Sequence, residues 1–292
     1  MLVTPFTLDE NFISGFIDQS LWEDVRDGDI TGLACIPPDK RDKAVLKIKE
    51  NGVLAGIALA ERIFKKVDAE SKMKIFKRDG DSMQLGDIAF EVECNTQALL
   101  KAERLVLNSM QRMSGIATLS RKFAEATKEY NVKVLDTRKT TPLFRYCEKW
   151  AVAIGGCDNY RFGLYDWFMI KDNHHDAVGG ITKAVDRVAE YKKNNPHTAN
   201  FGVTLEVRSL DEVKEALAAG KGVVTRLMLD NFSFANMRKA VTQINHAYEI
   251  EASGGVTLKN VRRYALTGVD FVSSGALTHH VSSLDLSLKI LK

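Results

Sequence analysis

Six places in the second half of the chain set charged, hydroxyl or glycine residues directly after a short apolar run. They are Arg138-Lys139-Thr140, Lys171-Asp172-Asn173, Glu206, Asp230-Asn231, Ser253-Gly254-Gly255 and Ser273-Ser274-Gly275. Their types divide into three kinds of chemistry. Arg138, Lys139, Lys171 and the nearby Arg161 offer positive charge to an anionic ligand. Glu206 and Asp230 are hard oxygen donors of the kind that hold Mg²⁺, an ion usually shared with substrate phosphates rather than caged by protein; two ion-paired loop acids are the plain alternative. The Ser/Gly turns, the second running on to Ala276, let backbone N–H groups approach a phosphate at a helix start, although a tight turn also needs glycine for its own conformation. Any single case is most simply a solvated loop. Six in succession argue for one shared pocket.

A shared pocket requires elements that bring these ends together. Strands are expected at 132–139, 167–173, 203–208, 226–231, 248–255 and 269–276, separated by helical stretches such as 181–194, 210–219 and 234–246. Repeated βα units make a parallel sheet covered on both sides, and in a βα barrel all carboxyl ends of the strands open onto one face. Six units fall short of eight, so the reading is an incomplete α/β barrel of six to seven strands, with an open doubly wound sheet as the alternative.

The first half reads differently. A strand (AVLKIKE), the dipeptide Asn51-Gly52 and a second strand (VLAGIAL) predict a hairpin, followed by a helix from near Glu61. Further strands begin at Lys74 and Asp87. Asn95-Thr96 offers an N-cap to a helix reaching about Tyr130, with Leu99, Ala102, Leu105, Val106, Met110 and Met113 in its apolar stripe and a break near Ser114-Gly115. These segments suggest an open, mainly antiparallel sheet with helices on one face.

The composition restricts the ligand. With 41 Lys plus Arg against 38 Asp plus Glu, the formal charge of +3 is too small for a nucleic-acid-binding surface, so an anion must be met by locally placed cations. Cys35, Cys94, Cys147 and Cys157 are scattered without a CxxC pair, which fits reduced thiols. The N-terminal MLVTPFTLDEN lacks the pattern of a secretory leader, and no apolar run approaches the roughly 18 residues of a membrane span. These features predict a cytoplasmic protein.

The runs LKAERLVLNSMQRMSGIAT, LDTRKTTP, EKWAVAIGG, IKDNH, TLEV, LDN, EASGG and SSGALTH, in this order, closely resemble the quinolinate phosphoribosyltransferase family from about Glu23 to Lys292. The resemblance implies transfer of phosphoribosyl from its pyrophosphate to quinolinate with decarboxylation, in nicotinamide nucleotide synthesis. It also implies Mg²⁺ and a head-to-tail homodimer, with further assembly to a hexamer left open. By motif position, Arg138, Arg161 and Lys171 would bind the acceptor with Arg104, the last from the partner subunit. Lys139, Glu206, Asp230, Ser253, Gly254, Gly255, Ser274, Gly275 and Ala276 would serve the donor side, and Thr140 and Tyr160 would also bind substrate. The resemblance further implies an open α/β sandwich over residues 1–112, possibly joined by the tail 278–292, and an incomplete α/β barrel over 113–277. Glu206, Asp230, Lys139 and Lys171 would be catalytic, and Glu206 and Asp230 would hold the metal. An arginine fork suits a dicarboxylate, since it donates two parallel bonds.

Two departures mark this sequence. The usual GGGxNHR loop reads Gly155-Gly156-Cys157-Asp158-Asn159-Tyr160-Arg161, so a phenol at Tyr160 replaces an imidazole expected beside the substrate carboxylates. The usual TTPG turn reads Thr140-Thr141-Pro142-Leu143, which puts its positive-φ requirement in doubt. His174 is expected to order the rim, with a metal site including His175 and Asp172 as the alternative; His279 and His280 are expected to be structural. Competing functions are a related transferase with another aromatic acid as acceptor, a Schiff-base aldolase built on Lys171, and a silent ligand-binding protein.

Overall fold

The computed structural model describes residues 6–291; Met1 to Pro5, which fall within the stretch read for a leader, and Lys292 lie outside the described residues. The described residues form two compact units. One comprises residues 122–139 and 157–276, the other 6–121, 140–156 and 277–291.

The second of these is built on a four-stranded antiparallel sheet. Its strands are β1 (Arg41–Ile48), β3 (Lys72–Ile75), β5 (Ile88–Asn95) and β12 (Leu286–Ile290), in the order β12-β1-β5-β3. A separate two-stranded ribbon pairs β2 (Gly52–Val53) with β4 (Ser82–Met83). Helices α1 (Glu10–Val25), α2 (Ile30–Cys35), α3 (Ile57–Val67) and α5 (Arg145–Gly155) belong to this unit, and α4 (Thr96–Thr127) begins in it.

The predicted hairpin at Asn51-Gly52 does not form, because both edges of β1 are taken by distant strands: Leu46 faces Leu288 on one side and Phe90 on the other. The segment read as its second strand instead begins α3 four residues before Glu61. Ile57, Ala60, Ile63 and Phe64 bury one face of that helix, and its first N–H groups donate to the Asp79 carboxylate (2.8 Å from Ile57, 3.2 Å from Ala58). A cap supplied 22 residues away is invisible to local pattern.

The break expected near Ser114-Gly115 is also absent, and α4 runs unbroken. These residues are small because chain approaches them closely. Ser114 Oγ accepts from Ala55 N–H at 3.0 Å, and a Cβ at Gly115 would lie 2.2 Å from the Ser282 carbonyl oxygen. Asn95 caps α4 as expected, its side chain accepting from Ala98 N–H.

The other unit holds a six-stranded parallel sheet of β6 (Lys133–Leu135), β7 (Phe168–Ile170), β8 (Val203–Val207), β9 (Arg226–Asp230), β10 (Glu249–Ser253) and β11 (Phe271–Ser273). Their order is β6-β11-β10-β9-β8-β7, every pair parallel. A single bridge between Leu135 and Asp158 continues the sheet beyond β6 as a vestigial seventh strand. This is the incomplete barrel. Its helices include α6 (Asp172–Val178), α7 (Ile181–Asn194), α8 (Leu210–Ala219), α9 (Phe234–Ile244) and α10 (Val261–Ala265), with α11 (Ala276–His279) following β11. Ser209 and Ser233 cap α8 and α9 through their hydroxyls, each cap worth about 1 kcal/mol.

Side chains alternate along a strand. Val203, Leu205 and Val207, with Leu227, Leu229, Ile250 and Ala252, form one buried apolar face. Thr204, Glu206, Arg226, Met228, Asp230, Glu249, Glu251 and Ser253 share the other, since Glu206 and Glu251 both stand opposite Met228. The polar face carries the site.

Candidate active site

Register alone stacks the polar face in layers. Thr204 and Glu249 stand beside Arg226, and Glu206 and Glu251 beside Met228. Asp230 and Ser253 follow at the carboxyl ends. The mouth therefore carries the residues picked out by sequence, above a buried ionic layer.

At the mouth, Lys171 follows β7 and its Nζ lies 3.0 Å from Glu206 Oε2. Glu206 is only 5% exposed, so its charge needs this partner. On the next strand, Asp230 Oδ2 accepts from the Asn231 amide at 2.6 Å. The two carboxylates thus sit on adjacent strands and one face. Among the described residues no group of three or more His, Cys, Asp or Glu side chains is placed to hold a metal, which removes the His174/His175/Asp172 alternative.

His174 Nδ1 instead accepts from the Lys171 N–H at 2.9 Å and fixes the start of α6, while His175 is buried beside Asp176.

The basic side appears after β6. Arg138 is half-buried and Lys139 exposed, its backbone N–H held by Thr137 Oγ1 at 3.0 Å. Buried Asp136 pins the segment that follows Cys157: its carboxylate accepts from the Asn159 amide (2.7 Å) and the Tyr160 N–H (2.8 Å). Arg161 comes next, its Nη1 3.3 Å from the Trp167 carbonyl oxygen. Burial, and then the neighbouring Arg138 guanidinium, hold Arg161 below the ordinary arginine range. A partly desolvated guanidinium of this kind suits an anionic partner.

The Ser/Gly turns are built for close approach. Gly254 and Gly255 have φ of +97° and +61°, and a Cβ at Gly254 would meet Asn231 Oδ1 at 2.1 Å. The Gly254 carbonyl accepts from the Tyr264 hydroxyl and that of Gly255 from the Asn260 amide. Ser274 Oγ donates to the Val256 carbonyl at 2.8 Å, leaving Gly275 and Ala276 half-exposed at the start of α11.

Arg104 and Thr140 belong to the other unit. Arg104 is an exposed residue of α4, lining a groove with Lys49, Leu107, Gln111 and Leu288. Thr140 Oγ1 accepts from Arg145 Nε at 2.9 Å. In that unit the buried Glu148 was not singled out by sequence. It takes a 2.9 Å ion pair from Arg112 and hydrogen bonds from both the N–H and the hydroxyl of Thr141.

The buried ionic layer was also missed. Arg226, 1% exposed, pairs with Glu249 (2.9 Å) and Glu251 (3.3 Å). Its guanidinium lies 3.7 Å from the Phe271 ring centroid, 5.2 Å from that of Tyr160 and 5.7 Å from that of Trp167. Burial opposes the charge on Arg226, but Tyr160, Glu251 and Glu249 outweigh it. Burial pushes the Glu251 carboxyl upward despite Arg226 and the hydroxyls of Ser273 and Tyr160. The Tyr160 hydroxyl, 2.6 Å from Thr204 Oγ1, is driven well above the ordinary phenol range by burial and by Glu251. The signal that would have found this layer is polar residues at every second position of TLEV, RLMLD and EIEAS, interrupted only by Met228, in strands otherwise covered on both faces.

A model of the quinolinate phosphoribosyl transferase C-terminal domain matches residues 116–289, and one of the N-terminal domain matches residues 29–114. Quinolinate phosphoribosyltransferase (decarboxylating) 1b of Nicotiana tabacum is 45% identical over 291 residues, covering 95% of this chain and 82% of the tobacco protein. A chloroplastic nicotinate-nucleotide pyrophosphorylase (carboxylating) of Arabidopsis thaliana is 46% identical over 275 residues, covering 90% and 78%. The crystal structure of NadC from Streptococcus pyogenes superposes with a TM-score of 0.88 at 38% identity, covering 98% of this chain and all of that one. Across nearly its whole length, the chain belongs to the quinolinate phosphoribosyltransferase family.

Proposed function

We propose that the protein transfers phosphoribosyl from phosphoribosyl pyrophosphate to quinolinate with loss of CO₂, giving nicotinate mononucleotide and pyrophosphate. The observation that carries this reading is the polar face of the parallel sheet, where Lys171 Nζ meets Glu206 Oε2 at 3.0 Å and Asp230 follows on the adjacent strand at the carboxyl ends. Family membership supports the reaction class, and the geometry supports the part proposed for each residue.

Arg138, Arg161 and Lys171 hold the two acceptor carboxylates. Lys139 and the turns at Ser253 to Gly255 and Ser274 to Ala276 receive the phosphates through charge and backbone N–H groups. When pyrophosphate leaves, positive charge develops on the ribosyl carbon, and the carboxylates of Glu206 and Asp230 face it. The pyridine nitrogen attacks that carbon, and the resulting pyridinium draws in the electron pair of the C–C bond to the neighbouring carboxylate, so CO₂ departs and the ring carbon left with that pair takes a proton from water. Two acids on one face, without a third protein ligand, fit a Mg²⁺ shared with the donor's phosphates. Bound there through Glu206 and Asp230, the ion would neutralise charge on the leaving pyrophosphate. The Schiff-base alternative finds Lys171 Nζ committed to Glu206, and borohydride with a carbonyl substrate is expected to leave it unlabelled.

A homodimer in which Arg104 of one subunit completes the other's site is in keeping with its exposure on α4. Arg104→Ala and Lys139→Ala are each expected to be inactive, and mixing them under subunit exchange to restore part of the activity. A cytoplasmic location is in keeping with cysteines that form no disulfide among the described residues, and cell fractionation checks it. The decisive assay is release of labelled CO₂ from carboxyl-labelled quinolinate with donor and Mg²⁺. Binding of quinolinate without release would leave a ligand-binding protein in place of the enzyme.

A further inference from the structure

The Arg161 guanidinium is held on the protein side by a backbone carbonyl, that of Trp167, at 3.3 Å. Its position is set by the two residues that flank it in space, Tyr160 before it in the chain and Trp167 at the other end of the loop. Both converge on one atom. Thr204 Oγ1 lies 2.6 Å from the Tyr160 hydroxyl and accepts from Trp167 Nε1 at 2.9 Å. Thr204 is fully buried and stands on β8 two residues before Glu206, on the same face. The Trp167 ring is seated on bare backbone, since a Cβ at Gly202 would lie 2.0 Å from it. Beneath both rings lies the Arg226 guanidinium, held by Glu249 and Glu251.

We propose that Thr204, backed by the buried Arg226, is a positioning residue for Arg161, acting through Tyr160 and Trp167 to set the grip on the acceptor's carboxylates. The hydroxyl suits this task because it serves two partners at once: it accepts the indole N–H and still has one hydrogen to share with the phenol. Tyr160 then acts from below the pocket as a strut. The residue at 160 carries no charge to the ligand, so the acceptor's charge falls to Arg138, Arg161 and Lys171, and the aim of Arg161 matters more. Met228 and Glu206 separate this hub from Asp230 and the phosphate turns in the register, so the effect belongs to the acceptor and not to the donor.

The inference rests on the proposed acceptor, and the test separates the two. Quinolinate binding to the full-length protein is measured by calorimetry without donor, alongside steady-state CO₂ release. Thr204→Val is expected to weaken quinolinate binding and raise its KM about tenfold, the loss of one well-made hydrogen bond, with kcat and the donor KM within about twofold. Thr204→Ser, which keeps the hydroxyl, restores binding. In an Arg161→Ala background the same Thr204→Val change adds nothing, because there is no guanidinium left to aim.

Equal losses in both backgrounds, or a donor KM that moves with the acceptor KM, would mean that Thr204 only supports the fold, and the proposal fails. Unchanged binding by Thr204→Val also overturns it. Wild-type binding without CO₂ release overturns the reaction and leaves the positioning role standing; no wild-type binding overturns both. Should Thr204→Val not fold, Tyr160→Phe removes the other end of the same contact and carries the same expectations.

Discussion

The two sheets treat charge in opposite ways. In the antiparallel sheet, Ala44, Leu46 and Ile48 of β1 and Phe90, Val92 and Cys94 of β5 are fully buried on one face. Lys43 faces outward on the other, paired with Glu91 and Glu93 at the limit of ion-pair distance. Charge sits where water is, as a one-sided sheet allows. The parallel sheet is covered on both faces, yet one of them carries Thr204, Glu206, Arg226, Glu249 and Glu251. Here charge sits where water has been removed, and each buried charge has a counter-charge: Arg226 with two glutamates, Glu206 with Lys171. Buried ion pairs are poor sources of stability, since desolvation cancels much of their attraction. The contrast teaches that the first sheet is built to hold the fold and the polar face of the second to hold a ligand.

Arg226→Met breaks this contrast most severely. It leaves Glu251 buried without its cation, and a buried pair broken at one end costs about 3–5 kcal/mol. Urea unfolding reads that loss. Replacing Arg226, Glu249 and Glu251 together by apolar residues of similar volume is expected to recover much of the stability while leaving acceptor binding weak. Recovery of both would show that the ionic layer has no functional part.

Glu206→Gln should show the reverse pattern. In the proposed mechanism the carboxylate faces developing positive charge, so CO₂ release is expected to fall about 100- to 1000-fold. Its partner Lys171 is half-exposed, and a pair so placed contributes about 0–1 kcal/mol to stability. The unfolding midpoint is therefore expected to stay close to wild type. A large fall in stability with modest loss of rate would invert the assignment of the two layers.

Much of this arrangement was legible in the sequence. The six parallel strands lie within the expected segments, and the ends of their apolar runs mark the mouth, because a covered strand is apolar until it reaches the rim. What was not legible depended on distance in the chain. Asn51-Gly52 carries the local chemistry of a hairpin, but β12 and β5 outcompete it for the edges of β1. The N-terminal cap of α3 comes from Asp79, and the small residues at Ser114-Gly115 answer to Ala55 and Ser282. Arg226 and Glu251 were passed over because a charge inside an apolar strand signals little until its partner on the next strand is known. Tyr160 was noticed as a departure, and only the fold shows its hydroxyl against Thr204.

In the antiparallel sheet the same measurements should find stability alone at stake. Ile48→Val removes one buried methylene from a fully enclosed site, costing about 0.5–1.5 kcal/mol. The KM for either substrate should not change. A shifted acceptor KM would mean that this sheet reaches the site energetically and that the division of labour is less clean.

The smallest expected effect has the opposite sign and compares two left-handed residues, one from each unit. Leu143 sits at φ +62° with 79% of its surface exposed, the third residue of a turn in which the Thr141 carbonyl accepts from Phe144 N–H at 3.2 Å. The positive-φ requirement therefore persists where glycine has been replaced, and Leu143 bears it. A left-handed conformation costs an L-residue about 1–2 kcal/mol, while glycine gives back about 0.5–1 kcal/mol through the greater freedom of the unfolded chain. Leu143→Gly is accordingly expected to stabilise the protein by up to about 1 kcal/mol, seen as a higher urea midpoint. Gly254→Ala, at φ +97° with Asn231 pressed against the missing Cβ, should instead destabilise the protein and weaken donor binding. If Leu143→Gly lowered the midpoint, the exposed leucine would have to be making a stabilising contact, and strain would not be the term that governs this turn.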